Sequence, residues 1–159
     1  MRILILAFAL AAALTAQKYD GPRPPKADVP YMLHASNLVS TDVDEAKEDK
    51  RKDGTAYVTP GASAKAKTPL AEPIFLFETK SIPPERLSLY RLDVKSGSRE
   101  VFFFFDNLKK RRDSAKSLRL SAVKVTQGLY RLEPTEPLAN GEYAITPSDS
   151  NTVFSFTIY

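Results

Sequence analysis

The chain of 159 residues has a single imidazole, His34, and no cysteine. His34 is therefore the only ordinary side-chain base near neutral pH. A serine–histidine pair would need its serine on a strained strand-to-helix turn, and no Gly-x-Ser-x-Gly occurs. Two-histidine metal motifs fail by count. Thiolate metal sites, cysteine nucleophiles and disulfides fail by composition. His34 accordingly reads as a half-exposed strand residue, with no metal or cofactor expected. Two carboxylates alone can hydrolyse a glycoside, and the densest acidic group is Asp42, Asp44 and Glu45. These sit among Lys47, Lys50, Arg51 and Lys52, with nothing apolar to raise a carboxyl pKa. Asp42-Val43-Asp44 begins like a calcium loop, but Ala46 and Lys47 stand where a third oxygen ligand and the glycine belong. The run reads as solvated charge, and no catalytic residue is assigned.

Two other features could bind rather than react. The segment 106–117 carries Lys109, Lys110, Arg111, Arg112 and Lys116 against two aspartates, a net charge of +3. Without Arg2 the chain has 22 basic and 19 acidic residues, so this one hairpin tip holds the whole basic excess. Clustered Lys and Arg suit an anionic polymer. No aromatic lies inside the loop to stack bases, so nucleic acid is not the expected partner. The bland alternative is a charged loop that keeps strand edges apart. Just upstream, Phe102, Phe103, Phe104 and Phe105 form four consecutive aromatics. In a strand they must point to both faces, so either both faces are buried, one of them under the N-terminal arm, or one is a contact surface for a partner.

The elements that would carry these residues are strands. Residues 17–72 contain 11 apolar residues other than alanine, against 31 in residues 73–159, so the dense core belongs to 73–159. Pro22, Pro24, Pro25 and Pro30 mark an extended arm over 17–30. A β-domain is expected over 31–159, beginning with a short strand at 31–35. The highly charged stretch 42–53 could be a helix turn or a polar hairpin leading into 55–58. Beyond Pro73 short apolar runs alternate with turn signals about every ten residues, with a hairpin around Lys95-Ser96-Gly97-Ser98. This pattern predicts an all-β fold of five to nine strands: a single antiparallel sandwich, immunoglobulin-like or related, or a partly open barrel. Leu87/Leu89 shift phase to Leu92/Val94, and Leu118/Leu120 to Val123/Val125, which predicts a bulge or bend in each strand. An outer-membrane barrel is disfavoured: counting back by twos from Tyr159 gives Thr157 and Ser155, not an apolar face.

Residues 1–16 read as a secretory signal peptide. Arg2 precedes the apolar stretch 3–14, and Thr15-Ala16-Gln17 offers a cut after Ala16, with Ala13 as an alternative. That stretch is too short to span a bilayer, which needs ~20 residues. Its removal leaves no transmembrane span and about 143 residues, about 38% of them apolar. A periplasmic, secreted or envelope location follows.

The C-terminal half resembles uncharacterised exported bacterial β-sandwich proteins. The residues that carry the likeness are Leu89-Tyr90-Arg91-Leu92-Asp93-Val94-Lys95-Ser96-Gly97-Ser98-Arg99-Glu100, Tyr130-Arg131-Leu132-Glu133-Pro134, Pro137-Leu138-Ala139-Asn140-Gly141-Glu142-Tyr143-Ala144 and Thr152-Val153-Phe154-Ser155-Phe156. These are turn and core positions over about 70 residues. The resemblance implies a sandwich and export, and transfers no functional residue. The expected function is a non-enzymatic structural or binding module of the cell envelope, whose partner is another envelope protein or an anionic envelope polymer. The competing reading is an accessory hydrolase using acidic residues.

Overall fold

The computed structural model describes residues 19–105 and 114–159. Its strands are β1 (Pro30–His34), β2 (Asn37–Ser40), β3 (Asp42–Glu45), β4 (Lys47–Arg51), β5 (Gly54–Pro60), β6 (Lys67–Thr68) and β7 (Phe75–Glu78). A 3-10 turn at Pro84–Arg86 precedes β8 (Leu87–Lys95), β9 (Ser98–Phe104), β10 (Leu120–Thr126), β11 (Leu129–Pro134), β12 (Gly141–Pro147) and β13 (Thr152–Ile158). The fold is all-β. One sheet has the order β10-β11-β7-β1-β2, and the other β3-β13-β12-β8-β9-β5-β4; short β6 runs parallel to β13 and the remaining pairs are antiparallel. There are more strands than expected because polar edge segments also pair. All five residues of β4 are charged and exposed, so it has no apolar periodicity to read, yet it forms a hairpin with β5. Of the two readings of 42–53, the hairpin holds. A charged edge of this kind also discourages pairing with other chains.

The second sheet curls into a half-barrel. Its two edge strands, β3 and β4, are consecutive in the chain and separated only by Ala46, whose N–H donates to the Asn151 carbonyl at 2.8 Å. Two cores result, one between the sheets and one inside the curl. The first unites Met32, Phe75, Phe77 and Leu132 of one sheet with Leu87, Leu89, Tyr143, Ile145, Phe154 and Phe156 of the other. Phe156 meets Phe75 edge-on at 5.0 Å and stacks on Tyr143 at 5.6 Å. The Tyr143 hydroxyl donates to the Ala139 carbonyl at 2.7 Å, which ties the 137–141 turn to the core. Burying each such aromatic contributes roughly 1.5–3 kcal/mol. The second core holds Ala46, Leu92, Ala144 and Val153.

These two cores account for the phase break in β8. Pairing with β12 is regular from Leu87↔Pro147 to Leu92↔Glu142, without a bulge. Leu87 and Leu89 face the inter-sheet core, whereas Ser88, Tyr90 and Leu92 face into the curl, so apolar residues occur on both faces. In β10 a register shift does occur, later than the phase change, between Lys124 and Thr126. The β8–β9 turn has Ser96 at φ +49° and Gly97 at φ +77°, the two positive values a two-residue hairpin needs.

The N-terminal arm lies along the first sheet. Asp28 accepts hydrogen bonds from the Lys80, Ser81 and Ile82 amides and the Ser81 hydroxyl, at 2.6–3.1 Å. Burial pushes its carboxyl up, but these hydrogen bonds outweigh it and hold the pKa below the ordinary value.

Candidate functional site

Alternation along β9 places Arg99, Val101 and Phe103 on one face, inside the curl, and Glu100, Phe102 and Phe104 on the other. The interior is closed at one end and open at the other. At the closed end Arg99 is only 2% exposed and donates from Nε to the Gly61 carbonyl and from Nη2 to the Pro60 carbonyl, both at 3.0 Å. Asp44 and Glu142 each lie 3.8 Å from its guanidinium. Glu142 accepts the Thr157 hydroxyl at 2.8 Å and the Ala64 amide at 2.9 Å, so the 60–66 loop caps this end. Arg99 Nη1 and Ser155 Oγ are buried without a hydrogen-bond partner among the described residues.

At the open end lies a pocket of about 310 Å³. Its floor is Ala46, Val101 and Val153. Phe103 meets Tyr90 edge-on at 5.6 Å and Tyr57 at 6.0 Å, which makes one wall aromatic. Ser88, Thr146 and the β12–β13 turn 147–151 make the other wall polar. Near the mouth β8 and β9 diverge, since they pair only over Asp93–Lys95 and Ser98–Glu100. Residues 114–118 occupy the gap between them. Ser114 Oγ accepts the Phe104 amide at 2.9 Å, the Ala115 amide donates to the Phe102 carbonyl at 2.9 Å, and the Leu118 amide donates to the Leu89 carbonyl at 2.7 Å.

The outer face of β9 carries charge. Glu100, its side chain 5% exposed, accepts from Arg51 at 2.7 and 3.1 Å and from Lys95 at 2.7 Å. The Arg51 hydrogen bonds, aided by Lys95 and opposed by burial, lower its carboxyl from 4.5 to about 2. Beside it Phe102 and Phe104 pack edge-on at 4.7 Å, and the Arg51 guanidinium lies 5.7 Å from the Phe102 ring centre. Gly54 permits this approach, since a Cβ there would collide with the Phe103 carbonyl and the Phe102 ring.

The four phenylalanines thus divide between two surroundings. Phe102, Phe103 and Phe104 are half-buried and Phe105 is 45% exposed. The described part of the N-terminal arm is held elsewhere: Arg23 and Asp28 bond to Glu78 and the 80–82 loop. Of the basic set, Lys116 is exposed beside the gap, while Lys109, Lys110, Arg111 and Arg112 lie outside the described residues. The acidic run is less solvated than its composition suggests. Asp42 accepts the Lys65 and Ala66 amides at 2.6 and 3.2 Å, and Glu45 accepts the Thr152 hydroxyl at 2.6 Å. His34 is half-buried at the end of β1 with Nε2 unpartnered, and no group of three or more His, Asp and Glu able to hold a metal occurs among the described residues. Sequence reasoning missed Tyr57, Tyr90 and the 147–151 turn as parts of one pocket lining. The signal was there in β8, where Tyr90 shares Leu92's face rather than Leu89's.

No protein-family model, curated protein or solved structure matches the chain. Among the described residues no helix is long and apolar enough to cross a membrane.

Proposed function

We propose that the protein is an exported binding module of the cell envelope, with its ligand held in the aromatic mouth of the half-barrel. The observation that carries this reading is the pocket itself: Tyr57, Tyr90 and Phe103 line an open, concave, mostly apolar cavity, the usual form of a small-ligand site. The signal-peptide pattern of residues 1–16 supports export. A hydrolase would need two carboxyl groups facing each other across a cleft. The most buried carboxylates, Glu100 and Glu142, are held by Arg51 and Lys95 and by Thr157 and Ala64, and neither lines the mouth. Co-sedimentation of the purified chain with envelopes isolated from the cells that produce it tests the reading. Wild-type protein is expected in the pellet and Phe103→Thr in the supernatant; equal partition of the two would overturn it.

A further inference from the structure

Resting on that reading, we infer that the mouth takes an uncharged saccharide, one or two pyranose rings of an envelope glycan. The charge of the described lining disfavours the simplest alternatives. Among the described residues, Asp149 is the only acidic or basic one in the lining, and its carboxylate is paired with Arg86 Nη2 at 3.0 Å. The described lining therefore offers no net charge to a phosphate, a carboxylate or an ammonium group.

The two walls then ask for a two-sided ligand. The rings of Tyr57, Tyr90 and Phe103 suit an apolar surface. Around them the Tyr57 and Tyr90 hydroxyls, Ser88 Oγ and the Asn151 amide make no side-chain hydrogen bond to another described residue. A pyranose presents C–H groups on its face and hydroxyls at its edge, so it can pack on the rings and bond these four groups together. An acyl chain would satisfy the rings and strip water from the polar groups without replacing it, which is unfavourable. An extended peptide would add to the free strand edges where β8 and β9 diverge. Those edges are already bonded by Ser114, Ala115 and Leu118. The volume of about 310 Å³ sits at the small end of ligand pockets, room for a ring or two rather than a long chain.

The test is an amide chemical-shift titration of the isotopically labelled chain beginning at Gln17. The neutral probes are chitotetraose, cellotetraose and maltotetraose; the comparison probes are octanoyl-glycinamide, acetyl-Leu-Phe-amide and heparin. At least one tetrasaccharide is expected to give saturable shifts at Tyr90, Phe103 and Asn151. Tyr90→Phe and Asn151→Ala, which keep the fold, should each weaken it several-fold, and Phe103→Thr should abolish it. Shifts at these residues from the acyl or peptide probe but from no tetrasaccharide would overturn the glycan inference and leave the binding-module reading standing. Shifts from none of the probes would overturn the glycan inference too, and envelope co-sedimentation would then decide the broader reading on its own.

Discussion

Arg99 and Phe103 lie on the same face of the same strand, one full alternation apart from Val101, yet they belong to opposite ends of the half-barrel. Around Arg99 the interior is closed: two backbone carbonyls accept its protons, two carboxylates balance its charge and the 60–66 loop covers it. Around Phe103 the interior is open and aromatic, and its described lining carries no net charge. A buried ion pair adds little net stability over apolar packing, but removing one member is costly because the other is left uncompensated. An open aromatic wall can be altered at small cost to folding. The contrast assigns folding to one end and binding to the other.

The largest expected effect follows at the closed end. Arg99→Leu leaves Glu142 and Asp44 without their cation and the Pro60 and Gly61 carbonyls without donors, so a loss of about 3–5 kcal/mol is expected in urea unfolding. A variant as stable as wild type would remove the distinction between the ends.

An intermediate effect is expected on the outer face. Glu100→Gln weakens charge-assisted hydrogen bonds to Arg51 and Lys95 and should cost about 2 kcal/mol at neutral pH. The carboxyl is held at about 2 in the folded chain against 4.5 unperturbed. The folded state thus binds its proton less readily than the unfolded state. Its stabilisation is complete above pH ~4.5 and is lost as pH falls toward ~2. Unfolding midpoints measured across that window should fall less steeply in Glu100→Gln than in wild type.

Smaller still is the effect of Phe103→Thr, which keeps a strand-favouring β-branched residue and removes a half-exposed ring; about 1 kcal/mol is expected, with ligand retention lost. Replacing Lys109, Lys110, Arg111 and Arg112 with serine should leave the unfolding midpoint unchanged and abolish retention on heparin resin if that loop binds anionic polymers. Retention equal to wild type would dispose of the loop's binding role. Because none of these four residues is among the described lining of the mouth, this variant should still sediment with envelopes.

Much of this fold was legible in the sequence because most of its strands alternate or carry apolar runs. Phe154, Phe156 and Ile158 alternating with Ser155 and Thr157 marked β13, and Ser96-Gly97 marked the β8–β9 hairpin. Strand β4 was legible only as one of two alternatives, a polar hairpin or a helix turn, since an edge strand with every side chain in water has no periodicity. The mouth was half legible. Four phenylalanines announced an aromatic surface, but of the four only Phe103 lines this pocket, and its neighbours Tyr57 and Tyr90 come from strands 46 and 13 residues away in sequence. Such a set exists only once the sheet has curled. The doubled phase of β8 was the one local trace of that curl: two apolar phases in a regular strand mean two buried faces as readily as a bulge.

The claim that one end folds and the other binds is tested most directly by Phe103→Thr, measured for urea unfolding and envelope co-sedimentation on the same preparation. A midpoint close to wild type with co-sedimentation abolished is the expected result. Unchanged co-sedimentation, or a loss of stability as large as that of Arg99→Leu, would contradict it.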